Sequence, residues 1–326
     1  MSVLIERLLN FGSSLPGVLS LGLIWGIMAI GLYITYRILE LSDLTVDGSF
    51  CTGGAVCIVM MATGYPTWLA MVCAFLAGMI AGSITGFLHT LCKIPAILAG
   101  ILTQLALWTI NMIIMGLKTG ELVSTLTIPS RDSNPLVSAM YLTKSLDGSK
   151  PIYLYPPLTI GVMTILVIAL LYWFFGTERG ASIRATGANA NMARAQGINT
   201  DVNKMIGLML GNGLVAFSGA LFAQYNGNAE INMGRGAIVI GLAAIIIGDV
   251  LFGKLFKNFA LKLLAVSFGA IVYYIVIQAV LTLLKVDSQY LKLMSAAIVA
   301  IFLTVPNMNF ASHKKRIKPE KEAQHA

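Results

Sequence analysis

The sequence predicts an all-α fold, a polytopic bundle of transmembrane helices that forms a single domain over residues 1–326. Three observations lead to this prediction. Hydrophobic residues make up 57% of the chain and charged residues 11%, and the mean hydropathy is +0.82. The hydrophobic residues are gathered in stretches long enough to cross a bilayer. The basic residues fall in the short segments between those stretches. A composition this apolar leaves too little polar surface to cover a water-soluble fold, so the soluble classes are excluded.

A membrane span needs roughly 20 apolar residues, and fewer where a helix is broken. By this measure the chain has about nine spans, within a range of about eight to ten. The predicted spans are Leu15 to Tyr36, Ser49 to Gly64, Trp68 to Leu91, Pro95 to Leu117, Pro157 to Phe175, Met205 to Tyr225, Ala237 to Phe252, Ala260 to Leu284 and Tyr290 to Val305. The leading segment, Val3 to Phe11, includes two charged residues and is interpreted as an interfacial helix.

Orientation follows from the basic residues, because cytoplasmic loops are enriched in Lys and Arg. The polar segment at 176–203 and the tail at 311–326 are both basic and are predicted to be cytoplasmic. This places the long loop at 118–156, and the N-terminus, outside. The net charge of +8 is spread over such loops, so we expect a lipid environment and no nucleic-acid partner. The expected location is the plasma (inner) membrane of a prokaryotic cell.

The chain also has the pattern of an internal repeat, with one unit at 15–117 and the other at 205–305. Each unit begins with a full span, continues with a polar linker and then has a short segment interrupted by glycine. Five spans separate the two starts, so the units are predicted to have opposite orientations. Such inverted repeats often place a substrate path at their interface. Chance similarity between apolar segments is the alternative.

The segment at 176–203 is a polar island between two apolar spans. Within it, Ala188 to Gln196 is predicted to be a short helix, because Asn189 is a suitable N-cap and Gly197 suits the left-handed C′ position. Helical spacing would put Ala188, Met192 and Ala195 on one side. An ordinary cytoplasmic loop is the alternative interpretation.

The run G-x-x-I-R-A-T-G-x-N-x-x-x-A-R-A-x-G-I-N, from Gly180 to Asn199, resembles the cytoplasmic loop of ABC-importer permeases of the branched-chain amino acid, ribose and nucleoside-lipoprotein type. In that family the loop is a coupling helix that docks into a cleft of the ATPase. The resemblance assigns the coupling role to Arg184, Gly187, Ala188, Asn189, Met192, Ala193, Arg194, Ala195 and Gly197.

The resemblance also implies partners. The chain would act as a homodimer, ATP and Mg²⁺ would bind to a separate cytoplasmic ATPase, and this chain would bind no cofactor. An extracytoplasmic substrate-binding lipoprotein would dock on the outer loops, Lys118 to Tyr155 and Asn226 to Gly236. The stretch LSDLTVDGSFCTGGA is similar to the branch that works with binding proteins for aromatic amino acids, so tyrosine or tryptophan is the expected cargo.

Polar side chains within spans are costly and are therefore candidates for the translocation path. They are Gln104, Asn111, Asn212, Gln224 and Gln278. Each could instead be a hydrogen bond between two helices. Gly78, Gly82 and Gly86 recur every four residues and predict a face for close helix packing.

No catalytic or metal-binding set is recognisable, and the chain is predicted to be a transport subunit and not an enzyme. The run from Gly248 to Leu255 fits G-x-x-x-x-G-K but ends in Leu where a phosphate-binding loop needs Ser or Thr. An ATP-independent secondary transporter or channel remains the alternative. The absence of acidic residues in the middle of the spans disfavours a version driven by protons or sodium.

Overall fold

The computed structural model describes residues 2–118, 120–128, 135–139, 141–142, 155–253, 255–256 and 258–284, with a few positions between 293 and 304. The chain is mostly helical. Its elements are α1 (Ser2–Tyr33), a π-helical segment (Ile34–Ile38), α2 (Val46–Ala62), α3 (Thr67–Thr90), α4 (Ala96–Gly116), β1 (Thr125–Thr127), α5 (Pro156–Gly176), α6 (Glu178–Ala188), α7 (Ala190–Ala195), α8 (Thr200–Asn226), β2 (Asn228–Glu230), α9 (Ala237–Phe252) and α10 (Phe259–Leu284).

Six helices in the described part of the chain are long and apolar enough to cross a membrane. They are Phe11–Ile38, Thr67–Thr90, Ala96–Gly116, Pro156–Gly176, Thr200–Asn226 and Phe259–Thr282. The prediction of about nine spans is therefore not confirmed. Two of the predicted spans are the shorter helices α2 and α9, of 17 and 16 residues. A helix of that length rises roughly 25 Å, less than the hydrocarbon core of about 30 Å. The ninth predicted span, Tyr290 to Val305, lies outside the described residues apart from isolated positions.

The segment predicted to be an interfacial helix, Val3 to Phe11, is helical, and its place at the interface stays a prediction. These residues form the first turns of α1, which continues without a break past Pro16. The physical reason is that a continuous helix satisfies its own backbone hydrogen bonds, which apolar surroundings otherwise leave unpaired. The charged residues in these first turns do not interrupt α1.

Helix α8 is the centre of the bundle and packs against α1, α2 and α3. Its contact with α3 is made by the predicted glycine face. A Cβ atom at Gly82 would collide with the carbonyl oxygen of Leu208, and one at Gly78 would collide with that of Asn212. Gly86 lies opposite Met205, at slightly longer range. Because lipid provides no hydrophobic drive for helices to associate, this close backbone contact is what stabilises the pair.

A small antiparallel sheet joins two connections on one face of the bundle. Strand β1, which follows α4, pairs with β2, which follows α8, and Leu126 lies opposite Ala229. The segment at 135–139 lies on the same face, since the Ala139 amide donates to the Tyr225 carbonyl oxygen. The end of α8 and the segment after α4 therefore share one side.

The orientation is testable at the two ends of α8, which has 27 residues and rises roughly 40 Å, enough to separate its ends by the whole membrane. Cysteines introduced at the exposed positions Gln196 and Asn226 of a cysteine-free variant bracket this helix. In intact cells we expect an impermeant maleimide to label Asn226→Cys and to leave Gln196→Cys unlabelled until the cells are opened. The reverse pattern would contradict the orientation.

Candidate coupling loop and transport path

The polar segment at 176–203 folds into two short helices. Helix α6 is capped by Thr177, whose Oγ1 accepts a hydrogen bond from the Gly180 amide at 3.3 Å. Helix α7 is capped by Asn189, whose Oδ1 accepts from the amides of Asn191 at 3.1 Å and Met192 at 3.0 Å. Gly197, with φ of +79°, ends the second helix. The predicted short helix is confirmed over the narrower range Ala190–Ala195, with Asn189 as its N-cap and Gly197 in the left-handed conformation after it, but α6 was not predicted.

One detail of the predicted contact face is wrong. Ala188 is the last residue of α6, and the extended backbone of Asn189, with φ of −159°, separates it from α7. Ala188 and Met192 therefore do not belong to one continuous helix, and the i, i+4 spacing between them has no geometric meaning. The N-cap residue must leave the helical conformation to bond the next turn, which is why the helix divides there.

The candidate coupling residues differ in exposure. The side chain of Met192 is 53% exposed, whereas Ala193 is fully buried. Gly187 is half-buried, and the remaining candidates present themselves to solvent: Arg184, Ala188, Asn189, Arg194, Ala195 and Gly197. Ala193 therefore packs inward and holds the loop in place, while Met192 offers an apolar surface to a partner. The coupling role of these residues stays a prediction.

The loop is tied to the membrane helices by specific contacts. The side-chain amide of Asn203, in α8, donates to Ser182 Oγ at 2.6 Å and to Thr186 Oγ1 at 2.8 Å. A Cβ atom at Gly187 would collide with the Ile38 carbonyl oxygen, so α6 lies directly on the π-helical segment. A displacement of the loop must therefore move both α8 and the end of α1.

A further contact joins α7 to the start of α8. Arg194 donates from Nε to Thr200 Oγ1 at 2.8 Å and from a terminal nitrogen to Asp201 at 3.4 Å. Both ionic side chains are 55% exposed, so the ion pair itself contributes little to stability. Its geometric effect is to fix the angle between α7 and α8.

Helices α2 and α9, the two shorter apolar helices, begin beside each other in the middle of the bundle. Asp47, in the first turn of α2, accepts hydrogen bonds from the backbone amides of Gly236 at 3.0 Å and Ile238 at 3.1 Å, at the start of α9. Gly236 has φ of +90°, a conformation that glycine adopts without strain. A carboxylate in the first turn of a helix commonly stabilises that helix's own N-terminus, and Asp47 occupies such a position in α2. In the structure the Asp47 carboxylate caps α9 and not α2.

Two of the predicted path residues line a cavity next to this junction. Gln104 and Asn111 of α4 face Asp47 across a space of about 140 Å³. Asn111 is 1% exposed, and its Oδ1 atom has no nitrogen or oxygen donor among the described residues. Arg235, which precedes α9, also lines the cavity. Arg235 was not predicted as a site residue, because the one signal in the sequence for its proximity to Asp47 is its position in the short turn before α9.

The other three predicted path residues form hydrogen bonds within the bundle. Asn212 donates to Asp43 and accepts from Ser49 Oγ at 2.7 Å. Gln224 accepts from the Leu136 amide, and Gln278 donates to Ser14. This geometry favours the alternative in which these three residues join helices.

Comparison with known proteins gives a consistent result. A family model described as branched-chain amino acid transport system, permease component, matches residues 14–303. The tyrosine transport system permease protein of Clostridioides difficile (strain R20291) is 33% identical over 306 residues, which cover 94% of this chain and 96% of that protein. An uncharacterised protein of Rickettsia prowazekii (strain Madrid E) is 34% identical over 278 residues, covering 85% and 92%.

More distant relatives include the autoinducer 2 import system permease protein of Salmonella typhimurium, 28% identical over 199 residues, which are 59% of this chain and 50% of that protein. No solved structure matches. The relatives with names are transport permeases, which agrees with a subunit that performs no catalysis of its own. Permeases of this type work with ATPase and substrate-binding partners. The chain belongs to the family of branched-chain amino acid transport system permease components, multi-pass ABC-type permeases of the prokaryotic inner membrane.

Proposed function

We propose that this chain is the transmembrane subunit of an ATP-driven importer and forms the translocation path for an amino acid. The observation that carries the proposal is the loop at 176–203. It exposes the Met192 side chain, and Asn203 and Gly187 fasten it to α8 and to the end of α1. A partner ATPase that grips this loop would move the membrane helices when it binds and hydrolyses ATP. ATP and Mg²⁺ belong to that partner.

The proposed cargo is an aromatic amino acid, tyrosine or tryptophan. The near full-length similarity to a tyrosine transport system permease supports this choice. The stretch LSDLTVDGSFCTGGA, before and within α2, resembles the branch that works with binding proteins for aromatic amino acids and supports the choice as well. A substrate-binding lipoprotein would deliver the cargo to the outer face, where β1 and β2 pair.

We also propose that the chain is an inverted repeat and works as a homodimer. In each unit a long helix, α1 or α8, is followed by a short one, α2 or α9. The two short helices start side by side at Asp47. The membrane domain would then contain nine membrane-embedded segments: the six long helices, the two shorter helices α2 and α9, and Tyr290 to Val305 as a further span.

Reconstitution tests the function. In vesicles that contain this chain, its ATPase and the lipoprotein, uptake of radiolabelled tyrosine should require ATP. The chain purified alone should show no Mg²⁺-dependent ATP hydrolysis, and Lys254→Ala should leave hydrolysis by the complex unchanged. The reason is that Gly248 lies inside α9 against the Ala265 backbone and not in a loop that could surround phosphates. Uptake driven by an ion gradient without ATP would support the secondary-transporter alternative.

A further inference from the structure

We infer that the cavity beside Asp47 binds the charged end of an α-amino acid, with Arg235 facing the carboxylate and Asp47 together with Asn111 facing the ammonium group. This inference rests on the proposed function and adds to it a recognition site within the membrane subunit. The ligand class is any α-amino acid zwitterion. The side chain of the ligand would remain outside the cavity.

The first argument is the arrangement of charge. Arg235 and Asp47 line the same cavity, and within the described residues they form no ion pair with each other. Each carboxylate oxygen of Asp47 accepts one backbone hydrogen bond and so keeps capacity for another. Asp47 is half-buried, and a charge removed from water is costly unless it is paired, whereas Arg235 is exposed beside it. A cation and an anion held apart around one space match a zwitterion.

The second argument is independent and concerns Asn111. Its Nδ2 atom donates to the Gly48 carbonyl oxygen at 3.4 Å, which leaves Oδ1 buried without a nitrogen or oxygen donor in the described part of the chain. The neighbouring Cys51 thiol donates to the Glu230 carbonyl oxygen. A buried polar atom without a hydrogen-bond partner is unfavourable, because it has lost its contacts with water. Because Asn111 lines the cavity, a small rotation of its amide would bring this unpaired oxygen to an ammonium group in that space.

The size and the mouth of the cavity limit what enters. Its volume of about 140 Å³ corresponds to roughly four or five water molecules at liquid density, enough for the backbone atoms of an amino acid but not for an aromatic ring as well. Trp108 and Leu105, at the mouth, are 49% and 66% exposed. An apolar or aromatic side chain of the ligand would lie along them.

Site-directed labelling tests this inference on the full chain in lipid nanodiscs. Cys73 and Cys92 are replaced by serine, and Asn232→Cys places a thiol at the mouth of the cavity. Saturating L-phenylalanine should slow maleimide labelling of this thiol by about tenfold or more. Phenethylamine lacks the carboxylate and 3-phenylpropionate lacks the ammonium group, and neither should protect at the same concentration.

Arg235→Gln should raise the L-phenylalanine concentration needed for protection by at least about tenfold, the loss expected for one charge-assisted hydrogen bond. Arg235→Lys should keep part of the protection, and Lys93→Gln, at an exposed site distant in sequence, should keep all of it. Equal protection by phenethylamine, or unchanged protection in Arg235→Gln, would overturn the inference.

The same variants distinguish the two levels of the proposal when they are assayed with the ATPase and the lipoprotein. ATP-dependent uptake by the parent chain, with no protection by L-phenylalanine, would overturn the zwitterion site and leave the importer function standing. Protection together with uptake that needs no ATP would support the site and contradict the importer function.

Discussion

Replacing Met192 with aspartate is expected to abolish co-purification of the ATPase and to stop uptake, while expression and membrane insertion stay normal. Met192 is 53% exposed on α7, and its flexible, polarisable side chain is suited to filling a cleft in a partner. An unpaired carboxylate in that interface would cost on the order of several kcal/mol, enough to weaken association about a thousandfold. The same change at a solvated loop position should cost about 0.5 kcal/mol or less.

Two controls separate loss of the interface from damage to the loop. Met192→Leu keeps the volume and the apolar character and should retain the ATPase. Leu255→Asp introduces the same charge at a side chain that is 73% exposed in the connection between α9 and α10, and it should also leave the complex intact. Affinity pull-down of the ATPase, with uptake in the same cells, measures both. A Met192→Asp protein that still binds its ATPase and transports normally would contradict the coupling assignment and favour the secondary transporter.

The cap of α7 was predictable because its determinants are local. Asn189 bonds the amides two and three residues ahead, and Gly197 ends the helix with its own φ angle. Both effects depend only on neighbouring residues, so the sequence is sufficient to predict them. The same kind of signal was present for α6, where Thr177 precedes Glu178, but the polar composition of the segment obscured it.

The junction of α2 and α9 was not predictable, because it depends on residues far apart in the chain. Asp47 caps the helix that begins 190 residues later, at Ala237. Neighbouring residues alone would assign this carboxylate to the N-terminus of its own helix, α2. The sequence shows that both apolar segments are short. Their length alone does not indicate that α2 and α9 begin side by side inside the bundle.

The translocation candidates illustrate a further limit. Sequence identifies a polar residue within an apolar span but not the direction in which it points. Gln104 and Asn111 lie seven residues apart on one face of α4, and both reach the cavity. Asn212 is also a polar residue within an apolar span, but it is fully buried between α8 and the segment before α2. Only the packing of neighbouring helices decides between a path and a structural bond.

This role of Asn212 leads to the prediction with the largest effect on stability. Asn212→Leu would leave a carboxylate oxygen of Asp43 and the Ser49 hydroxyl without their partner, and both residues are buried, at 3% and 0% exposure. A hydrogen bond between membrane helices is typically worth about 0.6 kcal/mol, whereas leaving a buried polar or charged group without its partner costs about 1–3 kcal/mol. We expect the larger loss, measured as the free energy of unfolding in mixed micelles.

The matched control is Asn226→Leu, the same chemical change at an exposed position of the same helix, which should alter stability by less than about 0.5 kcal/mol. Asp43→Leu combined with Asn212→Leu removes the carboxylate together with its partner, so the double variant should be less destabilised than the sum of the two single changes by at least about 1 kcal/mol. Additive effects, or a loss for Asn212→Leu as small as that for Asn226→Leu, would contradict the network. Because Asn212 lies on the helix whose first turn holds the loop at 176–203 through Asn203, this network would carry a movement of the loop to the start of α2. The double variant should therefore also lower the uptake supported by each ATP hydrolysed, even where the ATPase remains bound.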